Sequence, residues 1–99
     1  MNQYGNPMFF QILDELRELH SKKGKDYGTA EDPLANVRAS ADWGVPSWIG
    51  TLIRANDKVI RLQSAAKGSK LVNEGVEDSL IDLASYAIIA LALYRETNA

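Results

Sequence analysis

At 99 residues the chain is sized for one domain, and a core of that size commonly gains stability by association. The apolar fraction of 45% and charged fraction of 24% are those of an ordinary globular protein, while a net charge of −2 supplies no basic field and excludes bulk electrostatic binding of long nucleic acid. With no cysteine, disulfides and thiolate metal sites are excluded as well, and a reducing compartment fits.

The opening MNQYGNPMFF has neither a basic n-region nor a long apolar run, so no signal peptide is expected. Asn6 is a good N-cap and Pro7 suits the first helical position. Phe9, Ile12, Leu13, Leu16 and Leu19 then recur with helical spacing, and the pattern breaks in HSKKGKDYGTAED. Asp32 and Pro33 repeat the cap-then-proline signal, and DPLANVRASADWG reads as a short second helix ending at Gly44. Pro46 and Ser47 open a third helix, SWIGTLIRANDKVIRLQSAAKG. Its Ile49, Leu52, Ile53, Val59 and Ile60 share one side, and Gly68 is placed to follow its end. A fourth helix runs from about Glu74 to about Glu96. Its YAIIALALY segment is shorter than the roughly 20 apolar residues of a membrane span. No segment alternates as a strand does. The expected fold is all-α: a compact bundle of three long helices and one short one, in the cytoplasm, with no membrane partner.

The fourth helix poses a physical problem. Glu74, Asp78 and Asp82 stand one turn apart on one stripe, and Asp82 lies among Leu80, Ile81, Leu83 and Ala84. A carboxylate withdrawn from water needs a cation, a hydrogen-bond set or a metal, and a column of three repels itself. On the third helix Arg54, Asp57, Lys58 and Arg61 share the face opposite Ile49, Leu52 and Val59. In an antiparallel hairpin the two stripes would lie side by side. Two readings follow. One is a structural lattice of ion pairs with nothing bound. The other is a Mg²⁺ site, in which oxygen ligands on facing helices hold the ion with water and substrate phosphates. The placement of Asp82 inside an apolar segment favours the second.

The order KGKDYG, DPLANVR, LIRANDKVIRL, EGVEDSLIDLASYA resembles a group of small phage and prophage proteins described as MazG-like, or nucleotide-modification-associated, all-α phosphohydrolase domains. The resemblance runs from about His20 to Tyr86. It implies a four-helix arrangement assembled into dimers or tetramers, which hydrolyses nucleoside triphosphates to monophosphates and pyrophosphate with Mg²⁺. That class draws its acids from an E-x-x-E pair on one helix and an E-x-x-D pair on a later one. Here the third helix offers only Asp57, and the acids of the fourth run i, i+4, i+8. If the chemistry holds, a metal on Glu74, Asp78 and Asp82 neutralises the triphosphate and positions a water. Asp57 or Glu74 orients that water, and Arg54, Lys58 and Arg61 take the charge developing on the phosphates.

The stretch HSKKGKDYG is a second candidate region, in which Lys23 and Lys25 could meet phosphate and Asp26 and Tyr27 belong to the matched motif. Its plainer reading is a solvated helix end favoured by lysines. Trp43 and Trp48 bracket GVPS, as core anchors or as walls of a base pocket. Asn36 and Asn56 lie near apolar faces, where a buried amide wants a partner. Met8, Phe9 and Phe10 exceed what a core of this size needs, so part of the first helix is expected to meet another copy. Three functions are carried forward: a Mg²⁺-dependent nucleotide pyrophosphohydrolase, a helical protein that sequesters a nucleotide intact, and a structural helical oligomer.

Overall fold

A computed structural model describes residues 4–27, 34–35, 37–70 and 75–98, with the side chains of 24–27 left aside. All regular structure among the described residues is helical: α1 (Pro7–Tyr27), a 3₁₀ helix η1 (Val37–Trp43), α2 (Ser47–Ala66) and α3 (Val76–Thr97). The all-α expectation holds, with three long helices and one short one. The chain divides into two compact units, Met1–Asn36 and Val37–Ala99.

In the first unit, Asn6 caps α1 as expected. Its Oδ1 accepts from the backbone N–H groups of Met8 (2.7 Å) and Phe9 (3.1 Å), satisfying two donors that the first turn leaves unpaired. Phe9 and Phe10 meet edge to face at 5.9 Å. Leu16 is buried, while Met8, Phe9, Ile12 and Leu13 are exposed. The helix runs further than its sequence pattern, through Gly24 to Tyr27. A mid-helix glycine costs only about 1 kcal/mol. The adjoining Lys22, Lys23 and Lys25 are good helix formers whose charge suits a helix C-terminus.

In the second unit, η1 stops at Gly44 (φ 79°), where Gly44 N–H donates to Ala41 O and Val45 N–H to Ser40 O. The expected second helix is thus a 3₁₀ segment over its described part, and Asp32 and Pro33 lie outside the described residues. Arg38 joins η1 to the end of α3 by a two-pronged contact with Glu96, 2.7 and 3.3 Å. Both groups are partly exposed, so this pair is worth at most about 1 kcal/mol.

α2 begins after Pro46, whose carbonyl takes Ile49 and Gly50 N–H. It ends as its sequence predicts: Gly68 is left-handed (φ 93°), its N–H donates to Ala65 O, and Ser69 N–H reaches Ser64 O. That pair of bonds is a Schellman motif. α3 places Glu77 and Asp78 in its first turn and Arg95 in its last, both favourable to the helix dipole. Trp48 meets Tyr94 edge to face at 5.3 Å, and Lys58 meets Asp82 at 3.1 Å. Residue numbers that rise on α2 therefore fall on α3: the helices are antiparallel.

The seam between them departs from the sequence expectation. The buried positions are Thr51 and Ala55 on α2, and Ser79, Ala90 and Leu93 on α3. Ile49, Leu52, Ile53 and Ile60, expected to form the core face, are exposed. Much of the second half of α3, apolar on nearly every side, is exposed as well, at Ala87, Ile88 and Leu91. Small residues let two backbones approach closely, and the larger aliphatic groups are displaced to an outer face. Thr51 meets the demands of burial by donating its hydroxyl to Ser47 O at 2.9 Å.

Gly50 sits where η1 crosses α2. A Cβ there would overlap both Oγ and Cβ of Ser40, and that Oγ is buried without a hydrogen-bond partner. Gly50→Ala is therefore expected to destabilise the protein by about 1–2 kcal/mol, overpacking outweighing the gain in helix propensity. Thermal unfolding followed by circular dichroism checks this, and an unchanged or raised midpoint would contradict the crossing.

Candidate functional site

α2 and α3 bring the mixed-charge stripe and the acidic stripe together along one edge of their seam. Arg54, Asp57, Lys58 and Arg61 follow one another at helical spacing on α2, and Asp78 and Asp82 occupy successive turns of α3. At the centre Lys58 Nζ lies 3.1 Å from Asp82 Oδ2, with only 14% and 19% of the two side chains exposed. Asp82 is thus withdrawn from water, and a lysine balances it. Around this dry pair the remaining groups are wetter: Arg54, Asp57 and Asp78 are exposed, and Arg61 is half-buried.

Other sequence-derived candidates fall elsewhere. Lys23 is exposed on α1. Lys25, Asp26 and Tyr27 form the last turn of α1 in backbone, their side chains outside the described residues. Glu74 and Asn36 also lie outside them. Trp48 anchors α2 against Tyr94, but Trp43 is 87% exposed, so its indole offers an open face of the kind on which a base can stack. Asn56 is exposed within the apolar stripe of α2.

Sequence reasoning missed the two fully buried hydroxyl residues of the seam, Thr51 and Ser79. A signal was available in the spacing of Thr51, Ala55, Lys58 and Leu62, a stripe of i, i+4, i+7, i+11 that runs through the very lysine that pairs with Asp82.

A Mg²⁺ site can be tested against these residues. Among the described residues no three His, Asp or Glu side chains are grouped to hold a metal ion, and Oδ2 of Asp82 is engaged by an ammonium. The described donors alone do not fit a divalent ion. No helix among the described residues is long and apolar enough to cross a membrane.

Fold and site together define an all-α protein whose antiparallel hairpin bears a charged face pinned by a dry ion pair. The chain belongs to the family described as nucleotide modification associated domain 1, whose sequence model matches residues 23–93. The match takes in the Lys58–Asp82 pair and all of α2. No curated protein and no solved structure matches the chain significantly.

Removing either partner of the pair takes a counter-ion from a mostly buried charge. Asp82→Ala and Lys58→Ala are each expected to lower stability by about 2–3 kcal/mol, toward the low end for buried pairs because some water reaches this one. The double variant Lys58→Met/Asp82→Leu is expected to lose much less than the sum. Urea unfolding of the four proteins measures the coupling, and strict additivity would show that the contact carries no energy.

Proposed function

We propose that the protein binds a nucleotide on the charged face of the α2–α3 hairpin. The observation that carries this reading is the mostly buried Lys58–Asp82 pair flanked by Arg54 and Arg61, within the span matched by a family described as nucleotide modification associated. Arg54 and Arg61 take the phosphates, for which a planar guanidinium offers two parallel donors. Lys58 adds positive potential while it holds Asp82. Asp57 and Asp78 lie on the same face and disfavour unguided anions, so the site selects by geometry rather than by bulk charge.

A more specific reading is supported by the spacing of acids on α3. Asp78 and Asp82 occupy successive turns, and Glu74 precedes them by one turn in sequence. With Glu74 added, that column would offer oxygen ligands for Mg²⁺ in a nucleoside triphosphate pyrophosphohydrolase, at an i, i+4, i+8 spacing and with Asp82 shared between the ion and Lys58. Without that activity, the same face sequesters its nucleotide intact.

Calorimetric titration with nucleoside mono-, di- and triphosphates, with and without Mg²⁺, tests both. Binding is expected to weaken at least about tenfold in Arg54→Ala and in Arg61→Ala, the loss of one charge-assisted contact. Pyrophosphate release that disappears in Asp78→Asn, which leaves the Lys58–Asp82 pair intact, would establish hydrolysis at this face, whereas nucleotide recovered intact establishes sequestration. No heat with any nucleotide would overturn the proposal.

A further inference from the structure

η1 stands at one end of the charged face, anchored on both of its stripes. On α2 the anchor is Gly50, against which Ser40 packs. Gly50 lies one turn before Arg54 and on the same side of the helix. On α3 the anchor is Glu96, which accepts from Arg38 at 2.7 Å. Glu96 stands eighteen residues after Asp78, about five whole turns, so the two share one side of α3. η1 therefore crosses from α3 to α2 on the side of the hairpin that carries Arg54, Asp57, Arg61 and Asp78.

The residue that ends η1 is Trp43. It follows Ser40 by three residues, about 6 Å along a 3₁₀ helix. Arg54 follows Gly50 by about 6 Å along α2, and Arg61 follows Arg54 by about 10 Å more. Starting from the crossing, an aromatic ring stands at the end of the face and the two guanidinium groups succeed one another along it. The indole is 87% exposed. Its neighbour Gly44 is left-handed (φ 79°), with open space where a side chain would stand, so that neighbour does not obstruct the approach of a flat group.

A nucleotide has the same order of parts, an aromatic base at one end and phosphates at the other. Stacking on an indole accepts any base, because every base has a π-face, and it discriminates only by stacking strength. The larger double ring of a purine overlaps the indole more fully than a pyrimidine does.

We propose that Trp43 seats the base of the nucleotide, with its phosphates directed toward Arg54 and Arg61, so that η1 gives the site its polarity and a preference for purine nucleoside triphosphates. This inference rests on the nucleotide reading of the charged face and assigns the end of that face which the arginines leave open.

Titration of the full chain with ATP, GTP, CTP, UTP and inorganic tripolyphosphate tests it. Trp43→Ala is expected to weaken nucleoside triphosphate binding by about tenfold, more for ATP and GTP than for CTP and UTP, and to leave tripolyphosphate unchanged. Trp43→Phe, which keeps an aromatic face, is expected to restore most of the loss, whereas Arg54→Ala weakens tripolyphosphate as well. Nucleotide is also expected to quench indole emission in the unaltered protein but not in Trp43→Phe, whose remaining Trp48 packs on Tyr94. Because Trp43 is exposed, helical circular dichroism should be the same in all these proteins. Nucleotide affinity unchanged in Trp43→Ala would overturn the inference and leave the nucleotide reading standing. An equal loss for tripolyphosphate would overturn it too, and a loss no larger for purines than for pyrimidines would overturn the purine preference. Failure of every nucleotide to bind the unaltered protein would overturn both the inference and the reading beneath it.

Discussion

The contact between Lys58 and Asp82 constrains everything else in the hairpin. At 3.1 Å and an effective dielectric of about 20, the attraction is on the order of 5 kcal/mol. Drawing each charge out of water costs several kcal/mol. The two terms nearly cancel, so the pair adds little net stability. Its effect is on alternatives. Slide α3 along α2 by one turn so that Lys58 meets Tyr86 and Asp82 meets Leu62, and the pair is broken, a penalty of roughly 3–5 kcal/mol; the opposite slide instead offers Asp78 to Lys58 and Arg54 to Asp82. Seams lined by Thr51, Ala55, Ser79 and Ala90 have few large knobs to set register by shape, so an electrostatic pin does what interlocking side chains do in most helix pairs.

Much of this was legible in the chain itself. Asn6, Gly44 and Gly68 act where their chemistry places them, because caps and left-handed turns depend on a few neighbouring backbone groups and little else. The withdrawal of Asp82 was legible too, from its apolar neighbours. The inward face of α2 was not. Pattern reasoning takes the most apolar stripe as the core, and here Ile49, Leu52, Ile53 and Ile60 form an outer face while small and polar residues face α3. Hydrophobicity ranks what prefers to leave water but does not say which partner receives it. The length of α1 was misjudged for a related reason, since a glycine that can end a helix is also tolerated within one. Of the site, the meeting of Lys58 with Asp82 followed from the facing stripes, whereas Glu74, Asn36 and the side chains of Lys25, Asp26 and Tyr27 lie outside the described residues.

The hairpin therefore behaves as a layer with two dissimilar surfaces and a thin polar seam. One surface collects Arg54, Asp57, Arg61 and Asp78, and the other collects isoleucines and leucines. Neither surface needs the other's chemistry. The charged side carries hydrated groups at Arg54, Asp57 and Asp78, while the apolar side presents Ile49, Leu52, Ile53 and Ile60, all exposed. Separation of this kind also limits crosstalk. A substitution on the apolar side leaves the order of charges along α2 unchanged.

Within the charged face the groups differ in what they can give to an anion. Lys58 is committed: moving its ammonium toward a phosphate takes it from Asp82, and the phosphate must first repay that loss. Arg54 is exposed and Arg61 half-buried, so neither is asked to abandon a buried partner charge in the way Lys58 is, and a guanidinium presents its donors as a rigid fork. An incoming phosphate therefore gains more from the rim than from the centre. The central pair fixes the rim instead, holding Asp78 of α3 in one register with Arg54 and Arg61, which α2 itself sets about two helical turns apart. In the proposed nucleotide complex the ion pair would position the site and the arginines would grip, so that a residue so nearly buried would matter to binding without touching what is bound.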